Sequence, residues 1–178
     1  MIKVTRDLLR AANSCYGAAR ENELIPENGL TIREVAELDI PVRDKIWAIC
    51  YASNAPDNAL REFACWCARN ALNAARKVGR EPDPRSWNAV DIAERYARGE
   101  ASQAELDAAY YAASGNARAA YFAAYYAASH AAYYTAYESA FYAASNAAYY
   151  TASEAASHAA YGIAREEQLA ELVRLLDS

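Results

Sequence analysis

Residues 119–162 read AAYF AAYY AASH AAYY TAYE SAFY AASN AAYY TASE AASH AAYG, eleven consecutive tetrads. Alanine holds the second place in every one, and the first is Ala, Ser or Thr. The third and fourth places carry Tyr and Phe, interrupted by Ser, His, Asn, Glu or Gly. Alanine is the strongest helix former, and a half-buried strand would need alternation of period two, which the tetrads lack. The repeat therefore predicts helix. Four residues advance about 400° around a helix, so the alanine line drifts about 40° per tetrad and circles the helix in about nine repeats. One straight partner helix could not follow that line. Either several short helices each use a local face, or one long helix is surrounded on several sides. A period of four lies on the right-handed side of eleven-residue repeats and disfavours an ordinary heptad coiled coil.

Outward from the repeat, the rest of the 178-residue chain also reads as helix. Residues 3–20 place Leu8, Leu9, Ala12, Cys15 and Tyr16 at helical spacing, and Pro26 and Gly29 mark a loop. Thr31 and Glu34 form a capping-box pattern, as do Ser102 and Glu105. Pro41 opens a helix over 41–53. Asp57 is the expected N-cap of a helix reaching Val78, with Gly79 as its C-terminal stop. Ser86 is the expected cap of the next helix, which turns Trp87, Val90, Ile92, Ala93 and Tyr96 inward and ends at Gly99. Ile163, Leu169, Leu172, Val173 and Leu176 predict a closing amphipathic helix. The expectation is an all-α protein: a bundle of short N-terminal helices over 1–100, then long Ala/Tyr-rich helices with a period-4 repeat over 101–178. Its first-half core is expected at Trp47, Phe63, Trp66, Leu72, Trp87, Val90 and Ile92.

Charge and composition narrow the function. The net charge of −5 argues against general binding to a phosphate backbone. Residues 58–85 lean positive through Arg61, Arg69, Arg76, Lys77, Arg80 and Arg85, which reads as a solvated helix face. The start, Met1 to Asp7, turns polar at once and has no apolar export core, which predicts a cytoplasmic protein. Cys15, Cys50, Cys65 and Cys67 are then expected to be reduced, buried small hydrophobes. Cys65 and Cys67 stand about 200° apart on a helix and cannot grip one metal. The stretch Ala119–Tyr137 is uncharged but rich in tyrosine, which prefers the interface to the bilayer centre, so no membrane span is expected. The tyrosines lack the electrostatic groove that single-stranded nucleic acid requires.

No catalytic constellation emerges: there is no HExxH, no Walker loop and no GxSxG elbow. The two histidines, His130 and His158, are 28 residues apart, about 42 Å along a continuous helix. Asp91 and Glu94 read as an outer, solvated face. The chain is therefore not expected to be an enzyme or to need a cofactor or metal. The candidate interaction residues are Tyr121, Tyr125, Tyr126, Tyr133, Tyr134, Tyr137, Tyr149, Tyr150, His130 and His158, because tyrosine supplies broad contact area at low entropic cost. Arg69, Arg95 and Arg118 are candidate contacts for an anion.

Three pieces carry a family resemblance: Glu37-Leu-Asp-Ile-Pro-Val-Arg-Asp-Lys-Ile-Trp47, Phe63-Ala-Cys-Trp-Cys-Ala-Arg69 and Ala93-Glu-Arg-Tyr-Ala-Arg-Gly-Glu-Ala101. With the alanine-rich aromatic repeat and the closing helix from Glu166 to Leu176, the chain from about residue 30 resembles a set of phage and prophage proteins labelled immunity proteins. Members of that set often carry Arg, Asp and Trp within the repeat, where this chain carries Tyr and Ser. The resemblance implies a binding protein that neutralises another protein. It carries no catalytic signature. Two other readings stand beside it: a self-assembling helical oligomer, and a sponge that holds a small nucleotide-like molecule between helices.

Overall fold

In the computed structural model, residues 1–113, 137–138, 140–143 and 154–177 are described, with the side chains of Tyr110, Ala113 and 154–159 outside that set. The fold is all-α; among the described residues the exception is a two-stranded antiparallel ribbon of β1 (Lys3–Val4) and β2 (Leu30–Thr31). Helices α1 (Arg6–Ala11) and α2 (Ala18–Leu24) lie between the strands. Then follow α3 (Ile32–Glu37), α4 (Val42–Tyr51), α5 (Asp57–Lys77), α6 (Pro84–Ala97), α7 (Gln103–Ala113) and α8 (Glu154–Leu176). Residues 137–138 and 140–143 are helical as well. Most of the tetrad repeat, and with it most of the Ala119–Tyr137 stretch, lies outside the described residues. Among the described residues no helix is long and apolar enough to cross a membrane.

Local chemistry decides the ends. Both predicted capping boxes form: Glu34 Oε2 accepts from the Thr31 amide at 2.7 Å, and Glu105 Oε2 from the Ser102 amide at 2.8 Å. Two helices close with a glycine in the left-handed region, Gly79 (φ 78°) after α5 and Gly99 (φ 75°) after α6. In each the next amide reaches back to close a six-residue ring, Arg80 to the Ala75 carbonyl and Glu100 to that of Arg95.

Four expectations about helix ends, caps and cysteines are corrected. The helix expected over 3–20 is a strand and two short helices. Thr5 Oγ1 caps α1 through the Leu8 amide, and Asn13 enters the left-handed region (φ 55°), which ends the helix. Val4, fully buried, is better satisfied in the ribbon against Leu30. Asp57 is not an N-cap; Pro56 holds that place, while Asp57 pairs with Arg61 at 3.6 Å. Asp83, not Ser86, caps α6, because Pro84 occupies the first helical position. Ser86 lies one turn inside and is buried. Lastly, Cys15 is exposed, whereas Cys50, Cys65 and Cys67 are buried.

Helix α5 is central. Its ridge of Leu60, Phe63, Cys67, Ala68, Ala71 and Leu72 enters the main core, with Val4, Ile32, Ile46, Ile49, Leu169 and Leu172. Cys65 points the other way, into a smaller cluster with Ala89, Ala93, Leu106 and Ala109. That cluster joins α5 to α6 and α6 to α7, where alanines let the helices approach closely. Its small inner face (Ser86, Ala89, Val90, Ala93, Ala97) leaves Trp87, Ile92 and Tyr96 only half-buried, flanking the cores instead of filling them. Trp47 and Trp66 are half-buried too, while Phe63, Leu72 and Val90 are core as expected.

Helix α8 packs on α3, α4 and α5, so elements on both sides of residue 100 share one core. It runs unbroken through Gly162 and takes in the last two tetrads. An ion pair between Arg33 and Asp177 ties the start of α3 to the end of α8. Where the repeat is described, alanine faces inward: Ala140 and Ala143 are buried, and Tyr137 meets Tyr51 edge-on at 5.5 Å.

Two predictions arise here. Burial pushes the thiols of Cys50 and Cys67 far above their ordinary range, and that of Cys65 to about 12. The thiolate is the reactive form. Ellman's reagent should therefore titrate one thiol, Cys15, in the native protein, and the remaining three only after urea unfolding. Three native thiols reacting at the rate of Cys15 would refute the burial pattern.

The second concerns acid. Backbone and side-chain donors hold Glu34 and Glu105 below the usual carboxylate range, and the Arg85 side chain and amide hold Asp83 at about 2. These groups ionise more readily folded than unfolded, so their stabilisation is present at neutral pH and is lost as pH falls from about 4.5 towards 2. Urea midpoints measured from pH 6 to pH 2 should fall for the wild type. They should fall less for the triple variant E34Q/D83N/E105Q, which starts lower. Parallel curves would show that the caps contribute nothing to acid sensitivity.

Candidate interaction groove

Three helices frame an open groove of about 270 Å³. From α5 come Glu62, Trp66 and Arg69, spaced i, i+4, i+7 and so aligned on one face beside the buried ridge. Glu94 comes from α6 and Arg98 from its C-terminal cap, and from α8 come Glu171, Arg174 and Leu175. Trp66 stacks on Phe63, with ring centroids 6.4 Å apart and planes within 13°, so the core fixes the position of the indole. On its other side lies a smaller groove of about 130 Å³ between α5 and α8, with Asn70, Asn73, Lys77, Glu167 and Gln168 in its walls.

The charges are organised as pairs. Arg69 Nε donates to Glu94 Oε1 at 2.7 Å, and its Nη2 donates to Asp91 Oδ1 at 2.6 Å. Those carboxylates raise the Arg69 pKa further. Arg174 grips both oxygens of Glu171, each at 2.7 Å, and Arg98 pairs with Glu100 at 3.0 Å. Glu62 forms no hydrogen bond or ion pair with any described residue. Asp91 and Glu94, expected as a plain solvated face, are thus the clamp that holds α6 to α5 through Arg69.

The residues singled out from sequence divide clearly. Tyr121, Tyr125, Tyr126, Tyr133, Tyr134, Tyr149, Tyr150, His130 and Arg118 lie outside the described residues. His158 falls within α8, with its side chain outside the described set. Tyr137 is half-buried and engaged in packing on Tyr51. Arg69 lines the groove. Arg95 sits elsewhere, donating to the Glu100 carbonyl at 2.9 Å and reaching Glu105 at 3.5 Å across the α6–α7 turn. Any anion at Arg69 or Arg95 would have to compete with a carboxylate already in place. Of the basic lean over 58–85, Arg61 lies over the Tyr96 ring and Arg76 over that of Trp87.

Glu62, Trp66, Arg98 and Arg174 were not read as site residues. The signal existed for the α5 pair, since 62, 66 and 69 share a helix face. That α8 would supply the opposite wall is a matter of tertiary packing.

The chain matches no protein-family model, no curated protein and no solved structure. Among the described residues, no group of three or more His, Cys, Asp or Glu side chains is placed to hold a metal ion. The groove combines a core-anchored indole with a rim of paired charges.

Proposed function

We propose that this chain is a small phage-type helical interaction protein that binds another protein and blocks it, acting as an immunity factor or anti-defence inhibitor inside a bacterial host cell. On this reading it is not an enzyme and needs no cofactor. The observation that carries the proposal is Trp66, held by Phe63 at the wall of a groove with three arginines on its rim. Tryptophan and arginine are the residue types that dominate binding hot spots, and a preset ring loses little entropy on contact. The resemblance of the 37–47, 63–69 and 93–101 segments to phage immunity proteins points the same way.

The test pairs capture with function. Tagged wild-type chain should retain one protein from bacterial lysate, and stoichiometric addition should depress that protein's activity. Trp66→Ala should weaken the complex about thirtyfold or more, the effect of a hot-spot truncation. A discrete homo-oligomer on light scattering, with no captured protein, would favour self-assembly instead. A stoichiometric nucleotide-like molecule released on denaturation would favour the sponge reading.

A further inference from the structure

We propose that the groove seats a lysine or arginine side chain of the partner, with its cationic head on Glu62 and its apolar stem against Trp66 and Leu175. This rests on the interaction reading above and names the chemistry of the partner's anchor.

The argument is one of charge accounting. The groove holds three arginines and three glutamates. Arg69 is held by Glu94 and Asp91, Arg174 by Glu171, and Arg98 by Glu100. An acidic ligand would meet arginines whose charge is already offset by these carboxylates. Glu62 is left over. The Arg174 guanidinium feels its charge but donates no hydrogen bond to it. One turn along α5 from this unpaired carboxylate stands the indole. Tryptophan is the best ring for a cation, and a long basic side chain covers apolar surface with its methylenes. The fold uses the same chemistry internally: Arg76 lies 5.2 Å from the Trp87 ring centroid. Trp47 is stacked on Tyr51 at 5.5 Å. Trp66 alone of the three tryptophans borders the charged groove, and no described cation lies over it. The net charge of −5 adds long-range attraction for a basic surface.

The test uses hexalysine and hexaglutamate as probes, followed through the three indole N–H signals of the full chain by NMR, with Trp66→Phe to assign its signal. Hexalysine should move the Trp66 indole selectively, and the shift should fade with added salt. Glu62→Gln should melt like the wild type and bind hexalysine about tenfold more weakly. Hexaglutamate moving Trp66 in its place, equal hexalysine binding by Glu62→Gln, or equal shifts at all three indoles would each overturn the proposal. In the capture experiment, Glu62→Lys retaining the wild type's partner undiminished would sink the anchor and leave the interaction reading intact. Wild-type chain that captures nothing, yet shows a Glu62-dependent hexalysine site, would sink the interaction reading and keep the cation site.

Discussion

Phe63→Ala should lower the unfolding free energy by about 3–5 kcal/mol. Phe63 is fully buried on the central helix, within the core that joins the ribbon, α3, α4, α5 and α8. Truncation removes a ring's worth of buried apolar area and leaves a hole that backbones on several sides cannot close together. It also removes the surface on which Trp66 stacks. A chain of this size loses about 2–4 °C in melting temperature for each kcal/mol, so the midpoint should drop by roughly 6–20 °C. Urea unfolding followed by circular dichroism measures the change. The expected partner loss is separable: at temperatures where the variant is still folded, its affinity should approach that of Trp66→Ala, because the indole has lost its support. A drop under about 1 kcal/mol would mean that Phe63 is not the keystone of the core. For contrast, Ile92→Ala should cost much less, since Ile92 is only half-buried beside the smaller cluster.

Arg165→Ala should cost about 3 kcal/mol, and Arg165→Met only about 1 kcal/mol. Arg165 is 2% exposed on α8 and has no carboxylate partner among the described residues. Its Nε and Nη2 donate to the Tyr161 hydroxyl at 3.2 and 3.0 Å, and its Nη1 donates to Gln168 Oε1 at 3.3 Å. The guanidinium lies 5.2 Å from the Tyr161 ring centroid and 5.9 Å from that of Phe141. Gln168 in turn donates to the Ala140 carbonyl at 2.9 Å. The cluster thus fastens the 140–143 stretch of the repeat to α8. Alanine removes both ring contacts, empties the space and strips Gln168 of its donor. Methionine keeps most of the volume and gives up the cost of a buried charge. Equal losses in the two variants would show that the charge, not the packed volume, is what matters there.

These two residues differ in how far the sequence announced them. Phe63 stands on a ridge of i, i+3, i+4, i+7 apolar positions, and that periodicity is enough to assign it inward. Arg165 follows Ala159-Ala-Tyr-Gly-Ile-Ala164 and precedes two glutamates, which reads as the charged outer face of the closing amphipathic helix. Phe141, brought in from the repeat, packs over it beside its own helix neighbours Tyr161 and Gln168, and the position is an interior one. Glu21, 4% exposed with Arg10 at 3.8 Å, is a second buried charge of this kind. The groove shows the same division. The shared face of Glu62, Trp66 and Arg69 was legible from spacing. Trp66 belongs to both core and groove: one side of the indole stacks on Phe63 while another borders the groove.

The sequence by itself determined what depends on neighbours along the chain. It determined that the protein is helical, that capping boxes at Thr31 and Ser102 open α3 and α7, and that Gly79 and Gly99 close α5 and α6. These are contacts within one turn, so residue type and spacing are sufficient. Tertiary structure decided the rest. It drew Val4 out of a plausible helix into a ribbon, because a buried strand pairing satisfied its backbone and side chain together. It set Cys65 and Cys67 in different cores, turned an alanine face of α6 inward at the expense of Trp87 and Ile92, and brought α8 across to α5 to make the groove. Each of these outcomes depends on which surfaces meet across long sequence separations, and hydrophobic burial is non-directional, so the chain's local pattern leaves that choice open.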